Sequence, residues 1–258
     1  MRCGPLLACF VLGATVSTAM ADFSTVNTPP SPEANQGQII SNAFGGTFVA
    51  SGMNYTNNSS GITATRVEDT FNASATPNPT APLSLTGDVG NDDQVWLANY
   101  QSASAKAIFA AFNQQFGYFL GSSPATSPDS DTYHNLFNDT GSGFGVTGSA
   151  SLTSLSGQTL RWARAGTNRI VSSLNTDNAD DMDHMVTYRI DGLSDESTGV
   201  DTWLVFFEDV FSFEGSDFDY NDLVVEIKAT PIPSNTPEPT AAGLLLVGGM
   251  MALAKRRK

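Results

Sequence analysis

The chain has 258 residues, with 26 Asp plus Glu against 12 Lys plus Arg, a formal charge of −14 and a pI near 4.2. Five of the bases, Arg2, Lys255, Arg256, Arg257 and Lys258, sit at the two ends, so the stretch between them is more acidic still. That balance argues against a nucleic-acid partner, because phosphate binding needs basic patches.

Residues 1–21 read as a secretory signal. Arg2 supplies the positive start, 6–16 the apolar centre, and Ala19-Met20-Ala21 the small residues before a cut ahead of Asp22. Leu6-Leu7-Ala8-Cys9 superficially resembles a lipoprotein signal, but the apolar run continues past Cys9 and a plain signal fits better. Both cysteines, Cys3 and Cys9, lie in this segment, so the exported chain has no disulfide framework. Metal is one alternative staple for such a domain.

Residues 22–38 carry Pro29, Pro30 and Pro32 and read as an extended polar leader. A first strand is expected within 39–49, a loop over 53–61, a strand over 62–67 and a Pro-rich connection over 73–82. The acidic turn GDVGNDD at 87–93 precedes Gln94-Val95-Trp96-Leu97. Over 103–120 the alternation of Ile108, Ala110 and Phe112, then Phe116, Tyr118 and Leu120, favours strands over the short helix that 105–112 also allows. The Gly/Ser/Thr-rich stretch 140–157 suits short strands and tight turns. Two more strands, 160–165 and 169–174, carry Arg161, Arg164 and Arg169, expected to form surface salt bridges with the acidic region.

That region spans 177–226, with 15 acids and one base, Arg189. Within it, 203–228 reads as strand, acidic loop, strand. Trp203, Val205 and Phe207 alternate with Leu204, Phe206 and Glu208, and Leu223, Val225 and Ile227 alternate with Asp222, Val224 and Glu226, the pattern of half-buried strands. The loop 175–183 (NTDNADDMD) leads into a strand over 184–190 in the same way. The two acidic loops are therefore expected to lie side by side.

Asp217, Asp219 and Asn221 have the alternate spacing of the start of a calcium loop, and calcium takes six to eight oxygen ligands. The EF-hand pattern then fails: Asp222 stands where Gly is needed, Lys228 where Glu is needed, and a strand follows. The expectation is an irregular calcium site of Glu208, Asp209, Asp217, Asp219, Asn221 and Asp222, with Asp180, Asp181 and Asp183 adding ligands or forming a second site. Oxygen-only ligands exclude a typical zinc site, and His134 and His184 are too separated to change that. Without metal, the acids would cap turns and keep the sheet edge soluble.

Glu208 with Glu214 or Asp219 could also serve a glycoside hydrolase. Such a pair needs apolar seclusion to separate its pKa values, and nothing in the acidic sequence supplies it. There is no Gly-X-Ser-X-Gly, no His-Glu-X-X-His and no phosphate loop. A non-enzymatic protein is the favoured reading. The alternative is a carbohydrate-binding or adhesion module, with Trp96, Trp162 or Trp203 stacking on sugar, although Trp203 sits in an alternating strand that favours the core.

Residues 230–240 form a Pro-rich linker. The uncharged run 241–254 is short beside the ~20 residues of an ordinary membrane-spanning helix. The basic end after it predicts a cytoplasmic C-terminus. Pro237-Glu238-Pro239, the apolar segment and Lys255-Arg256-Arg257-Lys258 together resemble the PEP-CTERM sorting signal of Gram-negative bacteria. The resemblance implies processing by signal peptidase and an exosortase, a transient inner-membrane anchor, and release to the cell surface or the extracellular polysaccharide (biofilm) matrix. A second resemblance covers 184–228. Trp203-Leu204-Val205-Phe206-Phe207-Glu208-Asp209 with Asp217-Phe218-Asp219-Tyr220-Asn221-Asp222-Leu223-Val224 is similar to the C-terminal signature of the DUF4114 family, found in secreted and adhesin-like bacterial proteins. Glycines usual in its loop are reduced to Gly215. It implies an extracellular β-domain with the acidic residues as its site. The expected architecture is thus all-β, an antiparallel, jelly-roll-like β-sandwich over 39–229, between a signal peptide and a short C-terminal transmembrane helix.

Overall fold

The computed structural model describes residues 24–67, 93–122, 132–166, 169–230 and 232. The signal segment, most of the 87–93 turn, and the C-terminal sorting segment with Pro237, Glu238 and Pro239 lie outside the described residues. Among the described residues no helix is long and apolar enough to cross a membrane.

The fold is an all-β sandwich of antiparallel sheets. Its larger sheet contains β1 (Phe48–Ser51), β2 (Asn54–Asn57), β3 (Thr63–Arg66), β5 (Asn99–Ala107), β8 (Ser149–Ser151), β11 (Met185–Asp191), β12 (Asp201–Phe207) and β13 (Leu223–Thr230). Their order is β1-β2-β3-β11-β12-β13-β5-β8. The smaller sheet has β6 (Gln114–Leu120), β7 (His134–Asp139), β9 (Thr159–Gly166) and β10 (Arg169–Ser172) in the order β10-β9-β6-β7, with the two-residue β4 (Trp96–Leu97) paired to β9. The alternation over 103–120 resolves as parts of two strands, β5 and β6. The Asn-rich stretch expected to be loop contains β2, which pairs with both β1 and β3.

The two sheets meet through one set of alternate side chains. Trp203, Val205 and Phe207 of β12, with Leu223, Val225 and Ile227 of β13, pack toward Phe116, Leu160 and Trp162 of the smaller sheet. Phe116 and Phe207 lie edge to face at 6.2 Å, and Trp96 and Trp203 at 5.7 Å.

β11–β13 were expected to be half-buried strands. Both of their faces are buried instead. Val186, Tyr188, Leu204, Phe206 and Val224 form a second core beneath Ile39 and Ile40 of a helix, α1 (Gln36–Phe44). Burial on both faces explains why Leu204 and Phe206 are as apolar as their neighbours.

Helix α1 corrects the expectation of a leader to residue 38 followed by a strand. Asn35 accepts from the Gln38 N–H at 3.0 Å, and the Gln38 side chain accepts from the Asn35 N–H at 2.9 Å, a reciprocal cap that starts the helix. Gly45, with φ of 76°, ends it. Nine residues gain little from helix propensity alone, so packing of Ile39 and Ile40 on the sheet holds it.

Truncating a core Phe costs about 3–5 kcal/mol. Phe206→Ala is expected to lose that much in urea unfolding and to speed amide exchange in α1. A loss below about 0.5 kcal/mol, typical of exposed positions, would contradict the second core.

Candidate metal centre

β12 ends at Phe207, and the next two residues carry charge into the interior. The Glu208 N–H donates to the His184 carbonyl at 3.0 Å, extending the β11–β12 pairing by one step. Glu208 and Asp209 are thereby fixed at the end of a buried strand, and both are buried. The chain then turns through residues 210–222 back into β13. Within this loop Phe218 and Tyr220 take left-handed conformations, φ 55° and 54°. Each costs a non-glycine residue about 1–2 kcal/mol. The Tyr220 hydroxyl donates to the Asp183 carbonyl at 3.0 Å, and the Ser212 N–H donates to Asp180 at 2.8 Å. The two acidic loops therefore lie against each other.

Carboxylate oxygens of Glu208, Asp217 and Asp219 lie within 4.8 Å of one another, and those of Glu208, Asp209 and Asp222 form a second such group. The two groups differ in what neutralises them. Asp209 Oδ2 accepts from Arg164 Nη2 at 3.0 Å and Gln114 Nε2 at 3.2 Å, and Arg164 Nε donates to Gln114 Oε1 at 2.6 Å. Asp222 Oδ2 accepts the Asp209 N–H at 2.7 Å. Protein donors already serve that side.

The other side is under-served. Glu208 and Asp219 are 1% and 2% exposed, yet Glu208 Oε2 and Asp219 Oδ2 have no hydrogen-bond partner. Asn221, 1% exposed, donates through Nδ2 to the Ala34 carbonyl at 3.2 Å, while its Oδ1 has no donor. A buried acceptor without a partner costs about 1–3 kcal/mol, and more if charged. Three such oxygens lie on Glu208 and on the loop that follows it.

Electrostatics agree with the geometry. Burial, then the Asp217 charge, pushes Asp219 up to about 7, against the pull of the Asn221 N–H; Glu208 and Glu33 add to the rise. Burial also raises Glu208, with Asp217 and Asp209 adding repulsion. Burial, then Asp209 and Glu208, raises Asp222 well above the usual carboxylate range, with Arg164 pulling the other way.

Asp180, Asp181 and Asp183 do not converge. Asp180 pairs with His184 Nε2 at 3.0 Å. Asp181 is exposed. Asp183 Oδ1 accepts the Met185 N–H at 3.0 Å. Among the described residues, both convergent carboxylate groups contain Glu208.

Arg161 and Arg164 were expected at the surface but are buried, each paired with an acid: Arg161 Nε with Asp177 at 2.6 Å, and Arg164 with Asp209. Arg169 pairs with Glu214 at 2.8 Å, with both side chains about a third exposed. Glu214 thus lies outside both carboxylate groups. Trp96, Trp162 and Trp203 are all buried and pack edge to face, so none is a sugar platform. Arg164, expected to pair with the acidic region at the surface, pairs with it in the interior. Gln114, and Glu33 against Asn221, were not singled out in the sequence, and no spacing rule links them to the acidic hairpin.

No protein-family model and no curated protein matches the chain. Among solved structures there is a likeness to the Chromobacterium violaceum lectin CV2L, solved in complex with alpha-methyl-fucoside. It has 16% identity and a TM-score of 0.34, covering 55% of this chain and 99% of the lectin chain. A score that low does not establish a shared fold.

Two outcomes are expected. Arg164→Met leaves Asp209 buried without its partner and should cost about 3–5 kcal/mol by urea unfolding. In metal-free protein, the Asp219 value of about 7 lies above its unfolded value of about 3.9. The folded state therefore holds a proton that the unfolded state releases, and stability falls as pH rises from about 4 to 7. Thermal melts in chelator should show this fall, and Asp219→Asn should reduce it. Identical pH profiles for wild type and variant would contradict the assignment.

Proposed function

We propose that this chain is an exported, non-enzymatic protein of the cell surface or extracellular polysaccharide matrix, whose β-sandwich is stapled by calcium at the acidic hairpin. The observation that carries the metal part is the set of buried, donorless oxygens on Glu208, Asp219 and Asn221 beside the exposed Asp217. In this reading Glu208, Asp217, Asp219 and Asn221 hold the ion. Asp209 and Asp222 form its outer wall, held by Arg164 and by the Asp209 N–H.

The donor set is all oxygen, which favours a hard cation. Calcium tolerates an irregular shell of six to eight oxygens, whereas magnesium demands a near-octahedral one and keeps most of its water. A calcium ion would satisfy the orphaned oxygens and remove the repulsion that raises Asp219 and Glu208. It would also supply the cross-link that a chain without cysteines beyond residue 9 lacks.

The destination rests on the two ends of the sequence. The N-terminal signal and the Pro-Glu-Pro, apolar and basic tail support export, exosortase sorting and transient inner-membrane anchoring in a Gram-negative bacterium. The likeness of 184–228 to DUF4114 supports an extracellular β-domain. Catalysis at Glu208 is disfavoured because both it and Asp219 are shut away from any substrate of sugar size. Polysaccharide as a binding partner has no tryptophan platform to support it, and matrix placement alone suggests it.

Calcium at a hundredfold excess over its Kd would stabilise the fold by about 2.7 kcal/mol. For a domain of this size that raises Tm by about 5–10 °C relative to chelator. Asp219→Asn should remove the calcium effect while raising Tm in chelator at pH 7, since one unneutralised buried charge is gone. If wild type gives no calorimetric heat with calcium and the same Tm in EDTA, the metal reading is wrong.

A further inference from the structure

The N-terminal segment 24–35 lies along the acidic loop as a strap. The Asn27 N–H donates to the Phe218 carbonyl at 2.9 Å, and Asn27 Nδ2 donates to the Asp217 carbonyl at 2.6 Å. From the start of α1, Gln36 Nε2 donates to the Asp219 carbonyl. Three consecutive carbonyls of the loop, 217 to 219, are therefore each held from the N-terminal side. Asn221 Nδ2 completes the contact by donating to the Ala34 carbonyl and, at 3.4 Å, to Glu33 Oε2. The loop's left-handed Phe218 lies within this embrace.

The strap also brings a charge. Glu33 Oε2 accepts from the side chain of Asn221, one of the residues assigned to the ion. Like charges brought toward one cluster repel. Yet the same strap presents its donors to the loop's backbone.

From these contacts we infer that the strap is the second half of the calcium site: Glu33 joins the carboxylate set, and ion occupancy is coupled to docking of residues 24–35. The inference rests on the calcium reading above. With the ion bound, the strap is closed on the loop. Without it, Glu33 faces unneutralised carboxylates and the strap loosens, while α1 stays seated through Ile39 and Ile40.

The test uses the full chain, with calcium alone as the probe. Hydrogen exchange at the Asn27 amide should slow by about tenfold or more in calcium relative to chelator. Coupling free energies are reciprocal and typically correspond to factors of about 5–150. A double variant, Asn27→Ala with Gln36→Ala, alters no carboxylate, and it should weaken calcium binding by about tenfold in calorimetry. Glu33→Gln should weaken calcium binding and at the same time slow Asn27 exchange in chelator, opposite signs that a purely structural glutamate would not give. Normal calcium heat with Asn27 exchange indifferent to the ion overturns the coupling and leaves the metal site standing. Unchanged affinity in the double variant does the same. Absence of calcium heat in the wild type removes the metal site and the coupling together.

Discussion

Charge carried inward at the end of a central strand is the constraint on which the rest of this structure depends. Glu208 and Asp209 follow directly on β12, the strand that both cores share. Their position is set by strand pairing on either side and cannot relax toward solvent without breaking it. Burying a carboxylate without compensation is prohibitive, so the surrounding chain is arranged to supply partners. On one side Arg164 reaches across from the smaller sheet, oriented by Gln114. On the other, Asp217 and Asp219 gather with Glu208, and among the described residues no Lys or Arg pairs with them. The asymmetry between those two sides, more than the number of acids, is what distinguishes this cluster from a solvated acidic surface.

The same strand explains the layered build. One set of β12 side chains is consumed by the sandwich and the other by α1. Where the sheet is buried on both faces it is largely apolar, and the carboxylates of the cluster sit at strand ends. Glu208 and Asp209 at the end of β12, Asp222 before β13 and His184 before β11 all lie at one such end. His184 touches the Glu208 carbonyl through Nδ1 at 3.3 Å and Asp180 through Nε2, tying the two acidic loops at their base. Packing of the core and geometry of the cluster are therefore one problem: a change that tilts β12 moves both.

Much of the strand pattern was legible because period-two alternation survives in β5, β6 and β11–β13. What could not be read was the second face. Leu204 and Phe206 are apolar in any buried strand, and nothing local says what covers them. The cover, α1, is short, contains Gly37, and follows three prolines, so its surroundings read as leader; only Asn35 and Gln38 spell its start. In the candidate site, Asp217 and Asp219, singled out by their spacing, do lie close to Glu208, because a single tight loop joins them. The same logic failed for Asp180, Asp181 and Asp183. Short carboxylates next to a strand end readily accept local N–H groups, as Asp183 does from Met185, and a turn-capping acid looks like a ligand in sequence. Gln114, Glu33 and the burial of Arg164 were illegible for a different reason. These residues reach the cluster through tertiary pairing, from another sheet and from the far end of the chain.

That last separation has a consequence for how the fold is completed. The contact of Asn27 with Asp217 spans 190 residues of sequence. The strap leaves the ribosome first, and its binding site is made almost last. Contacts of such range carry the full entropy of closing the chain, and they form only after the intervening strands have paired. Until then the loop's carboxylates repel one another and the strap's own Glu33. A disulfide would fix such a late contact covalently, but no cysteine is available beyond residue 9. In the proposed calcium reading, the ion would fix it without one. In that reading the strap is the last part to close. The least neutralised part of the interior becomes the part that closes the molecule.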